Sequence, residues 1–143
     1  MSLRRPRLLL LPVLLAAHPA LAGDLVVVLH GVASAEGMVR VAACPPEGYP
    51  DGTCRFVARA PARPGTMELR IAGLPEGRFG LSAYHDADGD GRLGKDWLGR
   101  PAEGLGFGND APIGRFGPPG FEAASIALPA GGVVRAAVTL RYR

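Results

Sequence analysis

The chain has 143 residues, 48% of them hydrophobic, with 16 Lys+Arg against 13 Asp+Glu, which suits one domain with its own core and is short for two. Arg4, Arg5 and Arg7 fall in a first segment that holds no acidic residue, so beyond Ala22 basic and acidic residues balance. That balance removes the main support for nucleic acid or an anionic membrane surface as a partner.

The first residues have the three parts of a secretory signal: the arginines, an apolar run from Leu8 to Ala17, and Ala20-Leu21-Ala22 before Gly23. A cleaved signal peptide over 1–22 and a single domain over 23–143 are expected. The apolar run is shorter than the roughly 20 residues that a spanning helix needs, so no membrane span is expected in the mature chain. The protein would then be periplasmic or secreted. Cys44 and Cys54 bracket a loop with Pro45, Pro46, Gly48, Pro50 and Gly52. An even pair in an exported chain reads as a disulfide, because the spacing suits neither a redox nor a metal C-x-x-C motif.

From Leu25 to His30 the first strand is apolar on both faces, which predicts cover on both sides or a neighbouring edge. Met38–Ala43 alternates, with Val39, Val41 and Ala43 on one face, and Arg55–Ala60 answers it with Phe56, Ala58 and Ala60. This hairpin would be stapled at its mouth by the disulfide. Plain alternation puts the two cysteines on unlike faces, so a bend or bulge is needed there. Thr66–Ala72 carries Met67, Leu69 and Ile71 inward, and the next strand carries Phe79, Leu81 and Ala83, delivering Asp86 just past its end. Glu122–Leu128 and Val134–Leu140 complete about seven strands with turns roughly every 8 to 12 residues. No stretch has a helical period. The expected fold class is all-β, an immunoglobulin-like or transthyretin-like sandwich.

Site chemistry concentrates in Tyr84–Asp110. Asp86, Asp88 and Asp90 alternate and Gly91 follows, the order of the first half of a calcium loop. In that frame Arg92 supplies a carbonyl, Gly94 stands at the ninth position without a ligand, and Trp97 stands where a bidentate Glu is usual, with Asp96 as the available substitute. Glu103, Asn109 and Asp110 come within reach if the loop folds back. Oxygen donors favour calcium over softer metals, and an incomplete set implies weak affinity, on the order of 0.1 to 1 mM.

His85 invites a catalytic reading, but alternation puts it with Ala83 and Leu81, as a hydrogen-bonded histidine at a strand end. None of Ser34, Ser82 and Ser125 lies in a nucleophile elbow. The run from Gly104 to Asp110 lacks the flanking strand, helix and Lys-Ser/Thr pair of a phosphate loop, and reads as a loop that uses glycine dihedrals. Trp97, Leu98, Leu105, Phe107, Ile113 and Phe116 give this excursion apolar content; some must pack down, and an exposed remainder would serve as a ligand or partner surface.

Tyr84-His85-Asp86 leading into alternating acidic positions and Gly91, then Leu98-Gly99-Arg100-Pro101, Glu103-Gly104-Leu105-Gly106-Phe107, Asn109, Phe121-Glu122-Ala123-Ala124 and Val138-Thr139-Leu140, resembles the exported bacterial family known as domain of unknown function 2141. The resemblance covers about half of the mature chain. It implies an exported β-sandwich with an acidic loop and no assigned activity. The family that the chain resembles often has Asp at the position of Gly94 and Asn at that of Asp96, and at Gly94 this chain lacks that possible ligand.

The expected function is therefore that of an exported, non-enzymatic binding or structural module of the cell envelope. Its weak calcium site would draw on Asp86, Asp88, Asp90, Arg92 and Asp96. Its ligand surface would comprise His85, Trp97, Glu103, Phe107 and Asn109, and its partner would be an envelope protein or a small ligand. The alternative is a metal-assisted hydrolase or lyase that uses His85 with nearby carboxylates.

Overall fold

Period-two alternation in the described residues, 19–51, 53–99 and 102–142 of the computed structural model, builds eight strands in two sheets. The expected leader falls, through residue 18, outside the described residues. One sheet has the order β4-β1-β8, from β1 (Gly23–Val32), β4 (Gly65–Leu74) and β8 (Val133–Thr139). β1 pairs antiparallel with β4 and parallel with β8. The other has the order β3-β2-β5-β6, from β2 (Met38–Cys44), β3 (Val57–Pro61), β5 (Gly77–Asp86) and β6 (Leu105–Phe107). β7 (Ser125–Leu128) continues the β6 edge of β5, with Gly77 opposite Leu128 and Gly80 opposite Ser125.

The two sheets share one core. Leu25, Val27 and Leu29 of β1 and Met67, Leu69 and Ile71 of β4 meet Val39, Val41 and Ala43 of β2 and Phe79, Leu81 and Ala83 of β5. These are the rows that alternation assigns inward. Phe56, Ala58 and Ala60 pack against the same core from the β3 side.

β1 is doubly apolar for a reason visible in the register. Val26 stands between Arg70 of β4 and Arg135 of β8, and Val28 stands beside Glu68. Glu68 and Arg135 pair across β1, and Arg70 pairs with Asp24, so long charged side chains lie over the outward valines and leave them half-buried. Burial opposes the Asp24 charge only weakly. The Arg70 guanidinium, followed by the Gly73 amide, holds its carboxyl below the usual range.

Three expectations need correction. Residues Glu122–Ala124 do not begin a strand, because Phe121–Ala124 forms one helical turn, α1, before β7. The amides of Ala123 and Ala124 both reach the Gly120 carbonyl, and Ala and Glu suit the turn. β6 was not expected, and it is only three residues long with a glycine at its centre. Finally, the glycines of the Gly104–Gly108 run are needed for space and not for dihedrals. A Cβ on Gly106 would stand 2.4 Å from the Thr139 carbonyl oxygen, one on Gly104 2.4 Å from the Tyr142 ring, and one on Gly108 2.2 Å from the Ala124 carbonyl oxygen. Gly106 passes against β8 backbone and Gly108 against the last residue of α1, closer than a side chain permits, and Gly104 faces the Tyr142 ring.

The cysteine conflict resolves simply. β2 runs through Cys44, opposite Gly80, but β3 begins only at Val57, so Cys54 lies in the bend before it and need not obey its alternation. The bond closes a sequence separation of 10 residues with 5.6 Å between Cα atoms. Loop-closure entropy for that span gives roughly 2 to 3 kcal/mol. Replacing both cysteines with alanine is expected to lower unfolding stability by about that amount. Urea denaturation measures it, and an unchanged midpoint would show that the staple adds nothing.

Candidate metal site

β5 ends on Asp86, whose side chain shares the outward face with Tyr84 and Ser82 yet is fully buried. Its Oδ2 accepts two hydrogen bonds, from Arg40 Nε at 3.1 Å and from the Gly91 amide at 3.0 Å. Gly91 reaches this position through a φ of 80°, where a side chain would be strained. Tyr84 Oη donates to the Gly91 carbonyl at 3.1 Å, so the N–H and the C=O of Gly91 are both held by β5 side chains. Burial pushes the Asp86 pKa up, but its hydrogen bonds, led by those from the Gly91 amide and the Arg40 guanidinium, outweigh it and hold the carboxyl below the usual range. Oδ1, by contrast, is buried without a hydrogen-bond partner among the described residues. An orphaned charged oxygen is costly, and native structures rarely leave one.

Beside it stand Asp88 and Glu103. One oxygen from each of Asp86, Asp88 and Glu103 lies within 4.8 Å of the others. Oxygens bound to one calcium at 2.3 to 2.6 Å can stand up to roughly 5 Å apart, so separations of this size are compatible with a shared hard cation. Glu103 reaches the cluster because its carboxylate clasps the loop: Oε1 accepts the Ala87 amide at 2.9 Å and Oε2 accepts the Gly94 amide at 2.8 Å. The Ala102 amide returns to the Gly94 carbonyl. A side chain at Gly94 would begin 3.3 Å from the Glu103 carboxyl, so Glu103 fills the space where the resemblance places an Asp.

The structure thus brings together Asp86, Asp88 and Glu103 of the expected residues. The carboxylates of Asp90 and Asp96 stand outside the group. The side-chain oxygens of Asp90 and Asp96 accept the amides of Arg92 and Leu98, respectively, and shape local turns. Glu103 was expected on the ligand surface and, if the loop folds back, within reach of the ion, but not in the main ligand set. Its distance of 17 positions from Asp86 hides the role, although a linear calcium-loop frame that fails at its ninth and twelfth positions is the signal that a distant carboxylate must complete it.

His85 is buried, not on a surface, and faces away from the carboxylates. The Tyr142 hydroxyl accepts the Ala33 amide and stands at hydrogen-bond distance, 3.0 Å, from His85 Nδ1. His85 Nε2 then donates to the Glu36 carbonyl at 2.7 Å. Both ring nitrogens are thus engaged by structural partners. Phe107 is likewise buried, in a second cluster with Leu105 and Ala124. Asn109 is exposed but committed: at φ 56°, it donates from Nδ2 to the carbonyls of Ala123 and Ser125. Asp110 accepts the Thr139 amide and does not approach the cluster. Of the loop's apolar residues, Leu93 and Ile113 pack on that second cluster, whereas Trp97, Leu98 and Phe116 remain exposed.

A family model described as an uncharacterized protein conserved in bacteria, DUF2141, matches residues 27–136. No curated protein and no solved structure matches the chain.

Arg40 is the partner that makes the buried Asp86 charge tolerable. Arg40→Met is expected to cost about 2 kcal/mol at neutral pH, below the cost of breaking a fully buried pair because Arg40 is partly exposed. The folded pKa of Asp86 is depressed, so its stabilisation is complete above the usual carboxylate range and lost as pH falls through the folded value. The gap between variant and parent should accordingly shrink in acid, as measured by denaturation at pH 7 and below pH 3. A gap unchanged with pH would disconnect Arg40 from the Asp86 charge.

Proposed function

Because the chain belongs to DUF2141, a family of uncharacterized bacterial proteins, membership brings no activity with it, and we propose from the site that this is an exported, non-enzymatic binding module whose 86–110 loop is organised by a weakly held calcium ion. The observation that carries the metal is the buried Asp86 carboxylate, one oxygen of which is unpartnered among the described residues, in a group with Asp88 and Glu103. Three carboxylates this close repel one another, and a divalent cation reverses the sign of that interaction. All-oxygen donors suit calcium, whereas magnesium prefers fewer carboxylates and keeps its own waters. When bound, the ion would hold the Asp86 end of β5 to the Glu103 clasp.

Export is supported by the basic and apolar opening segment and by the Cys44–Cys54 disulfide, which persists in an oxidising compartment. Among the described residues no helix is long and apolar enough to cross a membrane. The non-enzymatic part rests on His85, whose two ring nitrogens are both occupied by structural partners on the side away from the carboxylates. A hydrolase or lyase built on His85 would have to break both bonds first.

Melting curves in millimolar calcium and in chelator test the metal. At about ten times its dissociation constant, an ion that binds only the folded state adds roughly 1.4 kcal/mol, a rise of a few degrees for a domain of this size. Glu103→Gln and Asp88→Asn are each expected to reduce the calcium-dependent rise. The same melting temperature in calcium and in chelator would remove calcium from the fold.

A further inference from the structure

The outward face of the β3-β2-β5-β6 sheet is a trough. Register places Arg59, Arg40, Tyr84 and Leu105 in one row across the four strands, and Val57, Ala42, Ser82 and Phe107 in the next. The second row is small at its centre, Ala42 and Ser82, and bulky at its ends, which hollows the sheet surface. These residues line a cavity of about 900 Å³, within the range of sites for small organic ligands. Leu93, Ile113 and Phe107 supply apolar wall, and Arg92 and Lys95 of the loop stand over it.

Its charge is one-sided. Arg40, Arg59, Arg92 and Lys95 line the trough against a single acidic residue, Asp51. Arg40 is committed to Asp86, but no carboxylate among the described residues pairs with Arg59, Arg92 or Lys95. All three are exposed. Trp97, 90% exposed, lies between the lining residues Lys95 and Gly99, and Phe116, 99% exposed, adjoins the lining residue Gly117. Large aromatics left this bare beside a half-apolar, cationic hollow complement a ligand with both an apolar body and a negative charge.

We propose that the trough binds a single-headed anionic amphiphile, its apolar body along the Val57-Ala42-Ser82-Phe107 row and its acidic head among Arg59, Arg92 and Lys95. This names a ligand class for the binding-module reading, and rests on that reading only in using residues 91–99 as a wall. Guanidinium and ammonium groups hold a carboxylate, sulfonate or phosphate head by charge-assisted hydrogen bonds, and they repel a cationic head on the same tail.

Calorimetric titration of the full protein in calcium with monomeric decanoate, below its micellar concentration, tests this, with decyltrimethylammonium as the cationic control. Trp97, the chain's one tryptophan, gives a parallel fluorescence readout. Decanoate is expected to bind at one site, to shift the Trp97 emission to the blue, and to bind at least tenfold more tightly than the cation. Ala42→Leu fills the trough from its outward side and should weaken binding about tenfold. The double change Arg59→Gln with Lys95→Gln alters only exposed side chains, keeps the fold, and should weaken it by a similar factor.

Equal binding of anion and cation, or affinity untouched by both variants, would overturn the proposal. So would binding to phosphatidylglycerol vesicles with none to decanoate, which would assign the face to a membrane surface. Absence of decanoate binding while calcium still raises the melting temperature overturns the trough and spares the metal. Decanoate binding that is equal in calcium and in chelator upholds the trough and counts against the metal-ordered loop.

Discussion

A buried carboxylate at the end of a strand sets the terms for everything around it. Asp86 carries its charge at full burial, and such a charge survives only where several donors meet it. Arg40 comes from the neighbouring strand β2, and Gly91 comes from five residues on, through a backbone conformation that favours glycine. Sheet and loop are therefore tied at one oxygen. The other oxygen remains unpartnered among the described residues and faces the question of what satisfies it. Asp88 and the Glu103 clasp add negative charge around the same carboxylate, which is the electrostatic ground for the cation proposed there.

The end of β5 also divides two kinds of chemistry by strand alternation. His85 points inward to Tyr142 and Glu36, closing a hydrogen-bond chain between β5, the segment after β1 and the residues after β8. Asp86 points outward to Arg40 and the loop. Adjacent in sequence, they are on opposite sides of the sheet, and this is why a His-Asp pair in the sequence does not become one in space. Each side serves position. The inner chain fixes the C-terminal residues beneath the sheet, and the outer one fixes the loop that roofs its far face.

Much of the fold was legible because the core rows obey a period of two: Val39, Val41 and Ala43, then Met67, Leu69 and Ile71, then Phe79, Leu81 and Ala83 are inward as alternation requires. The pairing of Cys44 with Cys54 was legible from composition and spacing. What escaped depends on contacts between distant segments. β6 is a strand because Gly106 lets it pass beneath Thr139, a fact about β8 that no local pattern encodes. The turn at Phe121–Ala124 is too short for a period, and it is held by Gly120 and by the Phe121 ring against Tyr49 of the disulfide loop. In the acidic loop, Asp86 and Asp88 were readable from their spacing, whereas Glu103 joins them only through amides of Ala87 and Gly94. The outward trough was hidden for the same reason, since its two rows exist only once four strands are in register.

The most direct test of the calcium-organised loop is a crystal structure of the protein grown in calcium. The expected result is a bound ion at calcium–oxygen distances of roughly 2.3 to 2.6 Å from Asp86 Oδ1 and from carboxylate oxygens of Asp88 and Glu103, with Arg40 and Gly91 still on Oδ2. A structure at millimolar calcium in which Oδ1 is instead met by water or a protein donor, and no ion stands among the three carboxylates, would contradict it.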